Sequence, residues 1–236
     1  MAGPCSLAMS AFNLSIVVPI YNEAQQVGPL ARSLRVLQDE WVREIILVDG
    51  GSTDGSAEQL GKEFTLITSR KGRAAQMNAG AAHASGTWLL FLHADTQLGS
   101  SHIKAAMSQG ALHHWGRFDV RLSGNHFMFA VIAWFINGRS RLTSVATGDQ
   151  CLFVRRKLFQ AVGGFADLAL MEDVALCKRL RKRHKPLCLK KTVTTSSRRW
   201  QKYGVYKTIL LMWKLRFLFW LGVSDDKLAR LYRSSD

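Results

Sequence analysis

Four polar segments follow short apolar runs in the first hundred residues. They are Pro19-Ile20-Tyr21-Asn22-Glu23, Asp49-Gly50-Gly51-Ser52-Thr53-Asp54-Gly55-Ser56, Gly72-Arg73-Ala74-Ala75-Gln76-Met77-Asn78-Ala79-Gly80 and His93-Ala94-Asp95. A fifth group, Met171-Glu172-Asp173-Val174-Ala175-Leu176, sets two carboxylates side by side. Taken singly, each has an ordinary structural reading. Asp49 suits a turn, Asp54 and Asp95 suit helix caps, and a Gly/Ala-rich helix suits close packing. Glu172 and Asp173 could simply stabilise a first helical turn. Taken together they describe different chemistry. Carboxylates repeated at strand ends repel a phosphate unless a divalent cation intervenes. With the cation present, one or two protein carboxylates, phosphate oxygens and water complete the shell.

The elements that must position these groups alternate. Ser15–Pro19, Ile45–Val48, Phe64–Thr68 and Trp88–Leu92 are apolar or β-branched and read as buried strands. Glu23–Leu37, Asp54–Lys62 and Arg73–Ala84 lie between them and read as helices. The alternation implies an α/β fold, a mostly parallel sheet with helices on both faces. In such sheets ligands bind beyond the carboxyl ends of the strands, where the polar segments fall. Beyond Leu98, the alternation of Phe118, Val120 and Leu122 with polar neighbours predicts a half-exposed strand. A buried or interfacial helix from Phe127, a strand at Cys151–Val154 and a helix at Glu172–Arg183 follow. Residues 1–13 read as a loose tail rather than a leader, with Met9 a second candidate start. Residues 14–236 read as one domain in three stretches, 14–98, 99–200 and a C-terminal helical, basic segment at 201–236.

In this order the segments resemble the family 2 glycosyltransferases of GT-A, Rossmann-like fold. That family has VVPxYNE after its first strand, a VDDGSTDGS-like second strand and a DxD motif. The likeness spans Ser15 to Arg183 and continues in Gly163-Gly164-Phe165 and in Glu172-Asp173, which resemble the family's GGF and ED segments. It implies an enzyme that moves a sugar from a nucleotide-diphosphate-sugar to an acceptor hydroxyl in one inverting step. It also implies a metal, Mn2+ or Mg2+, bound at Asp95. Pro19, Tyr21, Glu23, Asp49, Arg73, Asn78 and Ala94 would then hold the nucleotide, with Asp49 accepting N–H groups of the base. Asp173 would be the catalytic base. Asp149, Gln150, Glu172, Arg199 and Trp200 would line the acceptor side. The donor favoured is a UDP-sugar, with GDP-type donors open. Two positions depart from the family pattern: Gly50 stands where a second Asp is common, and His93 is the first residue of the DxD-like motif. Ser196-Ser197-Arg198-Arg199-Trp200 keeps the Arg-Trp of the processive synthases' Q-x-x-R-W but lacks its Gln, which favours a single-transfer enzyme.

Charge adds a second theme. The chain carries 32 Lys and Arg against 17 Asp and Glu, so an anionic partner is expected. No Asp or Glu occurs from Val174 to Ser224, whereas Lys and Arg recur throughout. Thr208–Val223 is apolar but broken by Lys214 and Arg216, about 200° apart on a helix. A helix packed on the domain or lying on an anionic membrane surface is preferred to a span. A nucleic-acid-binding module would explain the charge but not the acidic strand ends, so no nucleic acid is expected. The alternative to an enzyme is a basic nucleic-acid- or membrane-binding module on an inactive GT-A scaffold. A nucleotidyltransferase would carry a Gly-rich, basic signature after its first strand, where Tyr21-Asn22-Glu23 stands. Four widely spaced cysteines give neither a CxxC pair nor a disulfide framework, which fits a cytoplasmic setting, peripheral on a membrane if the basic segment engages one.

Overall fold

The computed structural model describes residues 13–110 and 112–233. The tail expected at 1–13 therefore lies, apart from Asn13, outside the described residues. Eight strands form one sheet: β1 (Leu14–Ile20), β2 (Val42–Asp49), β3 (Thr65–Thr68), β4 (Trp88–Phe91), β5 (Thr96–Gln97), β6 (Trp115–Leu122), β7 (Phe153–Arg155) and β8 (Leu187–Thr195). Their order is β3-β2-β1-β4-β7-β6-β8-β5. The β3-β2-β1-β4 half is wholly parallel, and β7 then pairs antiparallel with both β4 and β6. The helices are α1 (Val27–Arg35), α2 (Ser56–Gly61), α3 (Arg73–His83), α4 (Ser100–Gly110), α5 (Phe127–Thr143), α6 (Arg156–Ala161), α7 (Glu172–Leu180), α8 (Arg198–Tyr203), α9 (Val205–Trp220) and α10 (Asp225–Arg233).

Apolar runs become strands here because both faces of the sheet are covered. Along β1, Leu14, Ile16, Val18 and Ile20 enter one core cluster and Val17 the other; Ile45 and Leu47 of β2 oppose Ile46 and Val48 in the same way. The Gly/Ala-rich α3 is a close-packing helix. A Cβ at Gly80 would fall 2.3 Å from Cγ1 of Val17 and 2.9 Å from Cγ2 of Val48, so the helix backbone rests directly on β1 and β2.

Three expectations need correction. The strand at Phe118–Leu122 is not half-exposed: it extends back to Trp115, and six of its eight residues are buried, Arg117 among them. The guanidinium of Arg117 pairs with Asp119, which also accepts from Arg141, so charge satisfied within the fold imitates a solvent-facing pattern. The helix expected from Glu23 begins instead with a 3-10 turn at Ala24–Gln26. The helix expected to reach Arg183 ends at Leu180 and continues in turns. No described helix is long and apolar enough to cross a membrane.

Candidate active site

The ends of β1 and β4 open into a cavity of about 540 Å3. Pro19, Tyr21 and Glu23 reach it from the loop after β1, and His93, Ala94 and Asp95 from the loop after β4. Lys71, Arg73 and Gln76 line it from the start of α3, Asp149 from the 3-10 turn Gly148–Gln150, and Glu172 and Asp173 from the start of α7. Its outer wall is C-terminal: Arg199, Trp200, Thr208, Met212, Arg216 and Tyr232.

Two loops fix the floor. Asn22 adopts a positive φ of 52°; its N–H donates to Ser52 Oγ at 2.9 Å and its Oδ1 accepts from Thr53 N at 2.9 Å. Asp54 accepts from Ala24 N at 2.8 Å and Ser56 N at 3.0 Å. At the ends of β1 and β2, the buried amide Nε2 of Gln76 donates to both Ile20 O (2.7 Å) and Val48 O (2.8 Å). Two neighbouring strand ends are thereby held by one side chain.

The carboxylates differ in surroundings. Burial pushes the Asp149 carboxyl up, but its hydrogen bond to His93 and its attraction to His93 and to the Arg73 guanidinium outweigh this and hold it below the usual range. His93 Nδ1 lies 3.4 Å from Asp149 Oδ1, and a Cβ on Gly148 would strike the His93 ring at 2.3 Å. His93 therefore acts as a packed bridge to the Asp149 turn. Asp173 is shifted the other way, to about 6, by burial and the neighbouring Glu172. Hydrogen bonds from Gly148 N (2.8 Å) and Val174 N (2.6 Å), together with Arg73, only partly offset that rise. Arg73 Nη1 stands 3.8 Å from the buried Glu172. Glu23 is raised by burial; Arg198 opposes the rise, and the charges of Asp95 and Asp54 add to it.

Asp95 is partly exposed to the cavity, with Arg198 Nη2 3.8 Å from its Oδ2. No group of three or more His, Cys, Asp or Glu positioned to hold a metal occurs among the described residues. Asp95 is a carboxylate that could give a divalent cation one ligand, the kind of site in which phosphate oxygens and water complete the shell.

Three expected site residues lie off the cavity wall. Asn78 does not line the cavity. It clamps the Gly163-Gly164-Phe165 loop, donating to Phe165 O and accepting from Phe165 N, both at 2.9 Å. Gln150 is fully buried, donating to Ser140 Oγ at 3.1 Å and accepting from Thr147 N at 3.2 Å. Asp49 is also off the cavity wall. Its carboxylate accepts from Gly51 N (3.0 Å), Ser52 N and Ser52 Oγ (2.5 Å), which occupies it with its own loop. Conversely, Lys71, Gln76, Thr208, Met212, Arg216 and Tyr232 were not singled out from sequence. Lys71 Nζ sits 3.9 Å over the Tyr21 ring, and Arg199 stacks 3.8 Å from the Tyr232 ring. The helical spacing of 208, 212 and 216 was the available signal for that wall.

This cavity lies at the carboxyl ends of a parallel half-sheet, where ligands bind in doubly wound α/β folds. The model of glycosyl transferase family 2 matches residues 15–159, and the chain belongs to that family. An undecaprenyl-phosphate 4-deoxy-4-formamido-L-arabinose transferase of Salmonella choleraesuis is 34% identical in an alignment that covers 36% of this chain and 29% of the relative. The chain thus matches under a third of that curated relative's length. Among solved structures, S. aureus TarS 1–349 in complex with UDP-GlcNAc aligns with a TM-score of 0.59 at 19% identity, covering 78% of this chain and 58% of that one. Mannosyltransferase PcManGT from Pyrobaculum calidifontis, in complex with GDP-Man and Mn2+, aligns with a TM-score of 0.58 at 19% identity, covering 77% and 56%. At that identity the likeness concerns the fold, which is GT-A.

Proposed function

We propose that the cavity binds a nucleotide-diphosphate-sugar and transfers its sugar to an acceptor hydroxyl in one metal-dependent, inverting step. The observation that carries this is the meeting, in one cavity, of Asp95 at the end of the parallel half-sheet and Asp173 with its proton affinity raised to about 6. Binding a phosphorylated donor and removing a hydroxyl proton need two carboxylates with different properties. A UDP-sugar is favoured, and the UDP-GlcNAc bound by TarS gives a precedent for such a donor in this fold.

In this reading Tyr21 and Glu23 flank base and ribose, and Asp49 acts indirectly by shaping the loop beside them. Lys71, Arg73 and Arg216 offer positive charge to the diphosphate. A divalent cation, Mn2+ or Mg2+, would be held by Asp95 and would supply Lewis-acid neutralisation of the diphosphate as it leaves. Asp173 takes the proton of the acceptor hydroxyl as its oxygen attacks the anomeric carbon. One proton moves to the carboxylate, one C–O bond forms, and the bond to the diphosphate breaks. Asp149, Glu172 and Trp200 border the acceptor. The division into a nucleotide half at 14–98, a catalytic half at 99–200 and a C-terminal segment from 201 belongs to the same proposal.

The test is a thermal-shift panel of UDP- and GDP-sugars with and without Mn2+. A specific donor at a hundred times its Kd adds about 2.7 kcal/mol to stability. No shift with any nucleotide-sugar would sink the reading.

A further inference from the structure

Helix α5 is oriented with polar groups inward. Asn137 donates to Val120 O and accepts from Val120 N, both at 2.9 Å, which ties the helix to β6. Ser140, also buried, accepts from the Gln150 amide at 3.1 Å. These bonds fix the helix rotation and leave Phe127, Trp134 and Phe135 exposed at 69, 70 and 56%. The inner face already holds Phe129, Ile132 and Ala133, so these three rings lie outside it. With the inner face bolted by hydrogen bonds, the aromatic face is left to meet something outside the fold.

Helix α9 lies beside it, sharing a small cluster in which Phe129 and Ile132 of α5 meet Val205 and Ile209. At about 100° per residue, Tyr206, Leu210, Trp213, Phe217 and Trp220 fall within a stripe about 80° wide. All five are exposed, Trp220 at 73%. Exposed Lys207 and Lys214 run along one border of that stripe. The opposite border carries Thr208, Met212 and Arg216, which line the cavity. One helix therefore has a cavity face and an aromatic face, with lysines at the edge of the latter.

Aromatic side chains mixed with basic ones suit the headgroup boundary of a bilayer, where ring faces enter the acyl layer and ammonium groups stay with anionic phosphates. The formal charge of +15 and the absence of acidic residues from Val174 to Ser224 supply the matching sign. A second copy of this chain would bring the same positive charge to the contact and is disfavoured. We infer that the exposed faces of α5 and α9 dock on an anionic membrane surface, with α9 lying in the interface plane and the cavity opening beside it.

The experiment is flotation of the whole protein with vesicles of phosphatidylcholine alone or with 30–40% phosphatidylglycerol, a range of about a third anionic lipid. Binding to the anionic vesicles is expected, weakening as salt rises. K207A/K214A should lower the partition constant by about thirtyfold, near five-fold per lysine. W213E/W220E should abolish flotation while the melting temperature and circular dichroism stay those of the unaltered chain. Absence of flotation at low salt overturns the inference, as do equal partition onto both vesicle types and unchanged flotation of W213E/W220E. So does a stable dimer in light scattering that the Trp substitutions dissolve. None of these readouts uses a donor, so their failure leaves the proposed transfer untouched.

Discussion

The carboxylate of Asp173 accepts a hydrogen bond from the backbone N–H of Gly148 at 2.8 Å. That bond joins the turn carrying Asp149 to the first turn of α7 and holds both acids on the same cavity wall. Asp173 is therefore both a positioned group and a group with raised proton affinity.

Its proposed role as base gives the first prediction. Asp173→Asn keeps an acceptor for the Gly148 N–H but removes basicity, and turnover should fall about 10²–10⁴-fold with donor binding unchanged. The unaltered enzyme's kcat should rise with pH through about 6 and level off above it. A fall below tenfold, with the chemical step limiting, would make Asp173 a helix-start residue and direct attention to Asp149 or Glu172.

The same shift bears on stability. A carboxyl raised from 3.8 to about 6 on folding binds its proton more tightly in the folded chain. Stability therefore falls as pH rises through that interval, because the folded state holds more protons than the unfolded one. Asp173→Asn should escape this loss, so its stability relative to the unaltered chain should climb between pH 4 and 6 by about 1–3 kcal/mol. Urea denaturation at the two pH values measures it; a relative stability that does not change would remove the raised affinity.

The proposed metal dependence rests on Asp95. Asp95→Ala should cut transfer at least about 10²-fold, and EDTA should bring the unaltered enzyme to a similar level, since Lewis-acid stabilisation of the leaving diphosphate would contribute several kcal/mol. Titration of UDP by calorimetry with and without Mn2+ separates binding from turnover. Equal UDP affinity in EDTA would leave neutralisation to Lys71, Arg73 and Arg216.

The parallel half of the sheet was legible because two-sided burial leaves unbroken apolar runs, and β1, β2, β3 and β4 fall within a few residues of their expected limits. Strand ends then located Tyr21, Glu23 and Asp95 on the cavity. What sequence could not supply was the direction in which a polar side chain turns. Asn78 and Gln150 sit in motifs that run past the site, yet each spends its amide on backbone or side-chain partners of its own fold. Arg216 was visible only as an interruption of an apolar run. Its position about 200° from Lys214 becomes meaningful once α9 is seen to have a cavity on one side.

Asn78 provides a sharp contrast with a ligand-binding role. Asn78→Ala leaves both the N–H and the carbonyl of Phe165 without their partner and should cost about 2–4 kcal/mol, one unsatisfied group costing about 1–3. Among molecules that remain folded, the donor KM should change by less than about threefold. A stable variant with a strongly raised KM would return Asn78 to the nucleotide.

Gly50 packs against the Gln76 amide, which leaves little room for a side chain at that position. A Cβ at Gly50 would stand 3.1 Å from the carbon, nitrogen and oxygen of the Gln76 amide, tighter than ordinary packing. The amide cannot retreat without releasing Ile20 O and Val48 O, which it holds at 2.7 and 2.8 Å. Gly50→Asp should therefore destabilise by about 1–3 kcal/mol through crowding. Gln76→Ala should cost a similar amount through its lost hydrogen bonds, about 1–3 kcal/mol. Combined, the two should cost less than their sum by about 0.5–3 kcal/mol, because removing the amide opens the space the Asp needs. Urea denaturation of the four chains of the cycle measures the coupling. Strict additivity would mean that Gly50 and Gln76 do not compete for that space.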